Sequence, residues 1–286
     1  MSQALKEHSP KTKGTTLADQ KVPQFIEATA DGTALGKSFT IERLRYHYER
    51  HGIKTTIVRI ESRGVAHRPL RESDIFIPTE EFAQSKRRIG GLAGVLQPLF
   101  AAIARAAQNE TAVLLDWAGG HAQNRLEVLT ATAFDERLAE LCVRGCSVTI
   151  TSNVVARMRE ATDNLLKTAE TAPGLTRKLL LNGHRGPFVF PADTTAHAAY
   201  RDLLTAAKGA VMRLPEIGGD AWPICEANSL SMLQVLRATP KELAELVNQD
   251  PFIAKAVINE IAAWWVTSEK EIKREFPLPK PSNKQR

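Results

Sequence analysis

Short apolar runs alternate with longer amphipathic segments along most of this 286-residue chain. The apolar runs are rich in aliphatic and β-branched residues, which favours strands; they span residues 22–28, 55–60, 111–116, 146–151, 178–182 and 209–215. The segments between them carry apolar residues three and four positions apart, which is typical of helices; they span residues 38–51, 91–108, 126–141, 156–170 and 194–207. Pro98 predicts an interruption of the second of these helices. The alternation predicts an α/β fold with a doubly wound, mostly parallel sheet and helices on both of its faces.

The two ends of the chain differ from this alternating region. Residues 1–20 are polar and predict a flexible tail, and residues 21–215 hold the α/β domain. Residues 216–275 predict a helical extension of the same domain, with helices at 230–236 and 240–271 and a break in the second at Asp250-Pro251. Residues 276–286 are basic and rich in proline, which predicts a second flexible tail. The connection at 64–90 contains prolines and a charged run and is predicted to be irregular.

One stretch near the start of the chain carries the main chemical signal. An apolar run leads into a loop of small residues that ends in Gly36-Lys37-Ser38 and opens onto a helix. Such a strand, loop and helix can cradle phosphate with backbone N–H groups, while the lysine reaches the terminal phosphates and the serine hydroxyl holds Mg²⁺. The alternative is an ordinary strand-to-helix turn with Ser38 as a cap and Lys37 in solvent. Asp31 stands where a full phosphate-loop pattern has glycine.

Two later strands end in polar residues that fit the same chemistry. The run at 111–116 ends in Asp116 and is followed by Gly119-Gly120, which suits a carboxylate in a Mg²⁺ shell and a backbone close to phosphate. The alternative for Asp116 is a helix-capping aspartate. The run at 178–182 ends in Asn182, which can read the edge of a base or can form a turn before glycine.

Composition narrows the remaining choices. Hydrophobic residues make up 43% of the chain and charged residues 24%, which is ordinary for a globular protein. No apolar run reaches membrane-spanning length, and the polar N-terminus lacks the apolar segment of a signal peptide, so we expect a cytoplasmic protein. The three cysteines have no zinc-site spacing and are expected to be reduced.

The net charge of +6 allows non-specific contact with DNA without requiring it. Basic candidates are Arg43, Arg45 and Arg50 on the first helix, the run at 85–88 and the C-terminal tail. The alternative for each of them is a solvated surface.

Taken in order, the elements at residues 31–38, 113–120 and 180–188 resemble those of the ParA/MinD family of phosphate-loop ATPases, the Walker A type. The resemblance is strongest to the TraL/StbB/MobD-like branch that occurs in plasmid conjugation and stability operons. It covers residues 22–215, which the resemblance identifies as a P-loop NTPase-like domain.

The resemblance implies ATP and Mg²⁺ as cofactors and assigns roles to individual residues. Lys37, Asp116 and Glu61 would be catalytic, and Ser38 and Asp116 would bind the metal. The nucleotide-binding residues would be Gly32, Thr33, Ala34, Leu35, Gly36, Lys37, Ser38, Phe39 and Asn182. Asn182 would contact the adenine, and Gly119 or Gly120 would sense the γ-phosphate.

The sequence also departs from the family pattern. Gly32 stands where the family has a lysine that reaches across an ATP-bound dimer, and Thr33 and Ala34 replace two glycines. Arg63 replaces a second acidic residue. These departures leave hydrolysis open, because charge that develops on the phosphate would lose a cationic partner.

Two functions therefore remain. One is an ATP-binding, weakly hydrolysing protein in plasmid or conjugative-element stability, partition or transfer, with DNA-processing or partition proteins as partners and a nucleotide-dependent homodimer. The other is a degenerate, non-catalytic adaptor of the same fold that binds DNA or DNA-processing proteins.

Overall fold

The computed structural model describes residues 22–32, 35–64, 70–85 and 90–279. A seven-stranded sheet forms its centre, in the order β3-β2-β4-β1-β5-β6-β7, and every pairing is parallel. The strands are β1 Phe25–Thr29, β2 Thr55–Glu61, β3 Ile75–Pro78, β4 Ala112–Trp117, β5 Gly145–Thr151, β6 Thr176–Asn182 and β7 Val211–Leu214.

Helices connect the strands and complete the C-terminal part of the chain. They are α1 Lys37–Arg50, α2 Glu80–Ala83, α3 Gly91–Val95, α4 Gln97–Asn109, α5 Ala122–Ala131, α6 Phe134–Glu140, α7 Val155–Thr171, α8 Thr195–Ala207, α9 Ala221–Ala227, α10 Met232–Arg237, α11 Pro240–Val247 and α12 Pro251–Glu275. The predicted N-terminal tail, residues 86–88 of the basic run and most of the C-terminal tail lie outside the described residues.

Helices cover both faces of the sheet, as the alternation predicts. On β1, Phe25 belongs to the apolar cluster that includes α4, whereas its neighbour Ile26 belongs to the cluster that includes α1 and the C-terminal helices. Val113 and Leu114 on β4 divide between the same two clusters. Successive strand residues point to opposite faces, so both faces of the central strands are buried.

Several predicted boundaries were wrong, each for a local reason. The connection at 64–90 contains β3, which is only four residues long and pairs with β2. The predicted helix at 126–141 begins earlier and is divided by Ala133, whose φ of 44° is left-handed. The interruption expected at Pro98 in the helix at 91–108 lies two residues earlier, at Leu96, so that Pro98 falls in the first turn of α4, where proline is tolerated. Helix α9 had no expectation of its own.

The C-terminal helices pack directly on α1. Arg43 of α1 is fully buried, lies 3.7 Å from the ring centre of Trp265 and forms an ion pair with Glu269 of α12. Phe39 stacks edge-on against Trp264 at 4.8 Å. The break at Asp250-Pro251 is present, and the Asp250 side chain accepts a hydrogen bond from the Phe252 N–H. Within the described residues, no helix combines the length and hydropathy needed to cross a bilayer.

Helix α12 also covers the open edge of β7. Glu271 accepts a hydrogen bond from the Arg213 N–H at 2.9 Å, and Arg274 donates one to the Val211 carbonyl at 2.7 Å. Side chains thus take the places that backbone groups of another strand would occupy at this edge.

A charged pair lies in the core beneath β1. Glu27 sits in the middle of β1 at 1% exposure and forms an ion pair with Arg125 of α5, which is 0% exposed. Trp117 Nε1 donates to the same carboxylate at 2.9 Å, and Arg125 also donates to Thr168 at 3.0 Å and Ser147 at 3.1 Å. These bonds satisfy both charges in a region that water does not reach.

We predict that Arg125→Met destabilises the protein by about 3–5 kcal/mol, because it leaves the Glu27 carboxylate buried without its partner. Urea unfolding measures this change. The control is Arg137→Met, which breaks an exposed ion pair with Glu140 and is expected to cost at most about 0.5 kcal/mol. Equal losses in the two variants would contradict the prediction.

Candidate functional site

The candidate site lies where β1, β4 and β6 end, at the carboxyl edge of the sheet. The loop after β1 turns into α1 at this edge, Asp116 lies near the end of β4, and Asn182 ends β6. Ligands of open parallel sheets bind at this edge. The structure therefore brings together the three elements that the sequence singles out.

Gly36 allows the chain to enter α1. Its φ of 88° and ψ of 20° are left-handed, a conformation that favours glycine. Among the residues that the structure describes, no side chain caps the first turn of α1. The N–H groups of this turn point out of the helix, which is the arrangement that binds phosphate at helix N-termini.

Lys37 is buried, at 7% exposure, contrary to the alternative of a solvated side chain. Its Nζ donates to the Gly32 carbonyl at 2.8 Å, so the ammonium lies across the loop that precedes it. Burial lowers the pKa of Lys37, while the charges of Asp116, Asp31 and Glu61 act in the opposite direction. A desolvated cation held by a neutral carbonyl is suited to an incoming anion.

Asp116 is 3% exposed and lies beside Ser38 and Arg59. Burial raises its pKa, and a hydrogen bond from Ser38 and the charges of Arg59 and Lys37 oppose that rise. Arg59 Nε lies 3.5 Å from Asp116 Oδ2. That oxygen accepts no hydrogen bond from the described residues.

This donor set fits Mg²⁺. A carboxylate oxygen without a hydrogen bond stands next to a serine hydroxyl, and both are hard oxygen ligands. The described residues hold no cluster of three or more His, Cys, Asp and Glu side chains suited to a metal. One carboxylate and one hydroxyl are nevertheless what a magnesium site completed by substrate phosphates requires.

The front of the loop is held by backbone contacts. The Gly120 N–H donates to the Asp31 carbonyl at 3.2 Å, which joins the turn after β4 to this loop. Burial, followed by the charge of Glu160, raises the pKa of the Asp31 side chain. Thr33 and Ala34, both predicted to bind nucleotide, lie outside the described residues.

Asn182 fixes the loop from the side. Its Nδ2 donates to the Leu35 carbonyl at 3.0 Å, and its Oδ1 accepts from the His184 N–H at 3.3 Å. A Cβ at Gly36 would lie 2.8 Å from the same Nδ2. Asn182 thus holds the loop in place, and its contact with adenine stays a prediction.

Two other predicted residues lie farther from the loop. Glu61 is the last residue of β2, and its negative charge acts to raise the pKa of Lys37. Phe39 turns toward the C-terminal helices, with its ring against Trp222 and Trp264.

Sequence reasoning missed two arginines at the site. Arg59 pairs in register with Asp116 across β2 and β4, and its signal was a basic residue between the apolar residues Val58 and Ile60 of a strand. Arg157 of α7 lies against Gly32. Nothing in the local sequence distinguishes Arg157 from other helical arginines.

We predict that Gly36→Ala destabilises the protein more than Gly52→Ala does. Both glycines have positive φ, at 88° and 79°, so each substitution costs about 1 kcal/mol of strain. Only the alanine at 36 also displaces Asn182 from Leu35, which adds about 1 kcal/mol. Urea unfolding compares the two variants, and the difference should shrink when Asn182→Ala is added to both.

We predict that Lys37→Met stabilises the ligand-free protein at pH 7, because it removes a desolvated charge. The pKa of Lys37 is lower in the folded state than in the unfolded state. The wild type therefore recovers stability relative to the variant as pH rises from the folded toward the unfolded pKa. Urea midpoints at pH 7 and pH 10 test this, with Lys54→Met at an exposed position as the control. A midpoint for Lys37→Met clearly below that of the wild type at pH 7 would refute it.

No family model and no curated protein matches the sequence. Among solved structures, the MinD cell division protein of Aquifex aeolicus is similar with a TM-score of 0.45 and 11% identity over 90% of this chain and 100% of that chain. An ATP complex of a McdA variant from Cyanothece gives a TM-score of 0.45 and 10% identity over 84% of this chain and 96% of that chain. Cobyrinic acid a,c-diamide synthase of Mycobacterium smegmatis, with a bound ATP analog and magnesium, gives a TM-score of 0.42 and 14% identity over 68% and 87% of the two chains. At these values the similarity concerns the general arrangement of strands and helices and assigns no function.

Proposed function

We propose that this protein binds ATP together with Mg²⁺ at the loop between β1 and α1. The observation that carries the proposal is the buried Lys37 ammonium, which among the described residues donates a hydrogen bond to the neutral Gly32 carbonyl, beside an Asp116 oxygen that accepts none from them. The Asp116 carboxylate lies 3.5 Å from Arg59 Nε, but its Oδ2 is still open to a metal ion, and the Lys37 ammonium is still open to an anion. A metal-bound polyphosphate supplies both.

Each side chain has a defined task in this proposal. Lys37 moves from the Gly32 carbonyl to the terminal phosphates, and the N–H groups at the start of α1 hold phosphate oxygens. Ser38 and Asp116 would hold Mg²⁺, which neutralises phosphate charge when bound. Asn182 keeps Leu35 and Gly36 in the geometry that presents these N–H groups.

Hydrolysis is a separate step, and we propose that it is weak. Lys37, Asp116 and Glu61 are the residues that would take part. Asp31 places a carboxylate at the front of the loop, which opposes further negative charge on the phosphates. Binding without rapid turnover suits a protein that switches its contacts with partners.

We further propose a role of the ParA/MinD type, in the stability, partition or transfer of a plasmid or conjugative element. The motif order described above supports this role, and the partners would be DNA-processing or partition proteins. Arg43 does not contribute a DNA surface, because it is buried against Trp265 and Glu269. Arg45 is likewise buried and paired with Asp74.

A second function is a non-catalytic adaptor of the same fold. Asp31 and the bond from Lys37 to Gly32 favour it, because both give the loop an internal partner for its cation. In this case the site would serve stability and the protein would act through its surface.

Calorimetric titration with Mg-ATP distinguishes the two functions. We expect the wild type to bind and Lys37→Ala to lose binding while it unfolds at a temperature close to that of the ligand-free wild type. Asp116→Asn should lose the Mg²⁺ dependence of binding and keep weaker affinity for free ATP. Mg-ATP at 100 times its Kd should raise the stability of the wild type by about 2.7 kcal/mol. An unchanged unfolding temperature at millimolar Mg-ATP would favour the adaptor.

A further inference from the structure

We infer that Arg157 is a second phosphate-binding cation at this site and acts on the same nucleotide from α7. The inference rests on the proposed function, since it names a residue for the ligand proposed above. The supporting observation is the close approach of the Arg157 side chain to Gly32. A Cβ built at Gly32 would lie 2.9 Å from Arg157 Cζ and 3.0 Å from its Nη1.

Two cationic side chains, Lys37 and Arg157, therefore contact the same loop residue, Gly32. Lys37 bonds to the Gly32 carbonyl, and the Arg157 guanidinium lies against the Gly32 Cα. Burial is the main cause of the lowered pKa of Lys37, and the like charge of Arg157 acts in the same direction. Cations gathered in this way are stabilised when an anion binds between them.

Arg157 lies on the face of α7 that packs against the sheet, and this placement directs it to the loop. Ala161, Asn164 and Thr168 lie on the same face at spacings of four and three, and all of them are buried. Asn164 donates to Thr29 at the end of β1 at 3.1 Å, and Thr168 accepts from Arg125. Since these contacts fix α7 against β1, Arg157 is directed at the loop that follows β1.

Arg157 is also free to change partners. Its ion pair is with Glu160, one turn along the helix, at 2.6 Å, and both side chains are 38% exposed. A pair of this kind contributes little stability. A phosphate accepts two parallel N–H bonds from a guanidinium and holds it more strongly. Without ligand, the ion pair with Glu160 therefore holds the Arg157 side chain beside Gly32.

Gly32 leaves the room that this arrangement needs. Any side chain at position 32 would have to displace the guanidinium. We therefore expect Gly32→Ala to weaken nucleotide binding through Arg157, and to have no further effect once Arg157 is changed to glutamine.

The experiment measures ATP, ADP and AMP affinities by calorimetry for Arg157→Gln, Arg157→Lys and Arg159→Gln. Arg159 is exposed two residues farther along the same helix, so its variant removes the same charge from α7 away from the loop. We expect Arg157→Gln to lose roughly tenfold or more in Mg-ATP affinity and to leave AMP affinity unchanged. Arg157→Lys should fall between this variant and the wild type, and Arg159→Gln should match the wild type.

Glu160→Gln provides the opposite change, because it frees Arg157 from its partner and should tighten Mg-ATP binding. Unfolding temperatures equal to that of the wild type show that each variant is folded. If the wild type binds and Lys37→Ala does not, but Arg157→Gln and Arg159→Gln bind alike, the inference is overturned while the proposed function stands. A wild type that binds no nucleotide overturns both.

Discussion

The structure depends on the double burial of β1. This strand pairs with β4 on one side and β5 on the other, and helices cover both of its faces, so all five of its residues are shielded from water. A charged residue in such a strand needs its partner inside the protein. Glu27 has that partner in Arg125, and through Arg125 the ion pair connects β1 with α5 and α7.

The same network positions the candidate site. Arg125 reaches Thr168 near the end of α7, and Asn164 reaches Thr29 at the end of β1. The loop that follows Thr29 therefore meets the start of α7 on one side and the turn after β4 on the other. On the opposite face, α1 is fixed by the C-terminal helices through Arg43 and Phe39. The loop thus lies between two packed layers, and this accounts for the burial of Lys37 at the start of α1.

Much of the fold could be predicted because strong periodicity covers most of the chain. The six predicted strands all exist, since each contains an apolar or β-branched run between two helical segments. Strand β3 was missed because it is short, ends in proline and follows a stretch without periodicity. The helix break at Leu96 was expected within two residues, because Pro98 marks it, whereas the break at Ala133 was missed because alanine gives no breaking signal.

The site was predictable only where its residues are local. Gly36, Lys37 and Ser38 form a continuous motif, and Asp116 and Asn182 lie at the carboxyl ends of strands that converge by topology alone. Arg59 and Arg157 belong to the site through the register of two strands and the rotation of one helix. Neither the register nor the rotation can be read from nearby sequence. The glycine at position 32 also did not indicate that the guanidinium of Arg157, from α7, occupies the space beside it.

The cover that α12 places over β7 has a consequence for assembly. Glu271 and Arg274 meet an N–H and a carbonyl of the edge strand within one turn of helix. A second chain could not extend the sheet here without first displacing both side chains. Any oligomer of this protein that leaves α12 in place must therefore use helical faces or loops on this side, and a continuous sheet through two subunits at β7 is excluded.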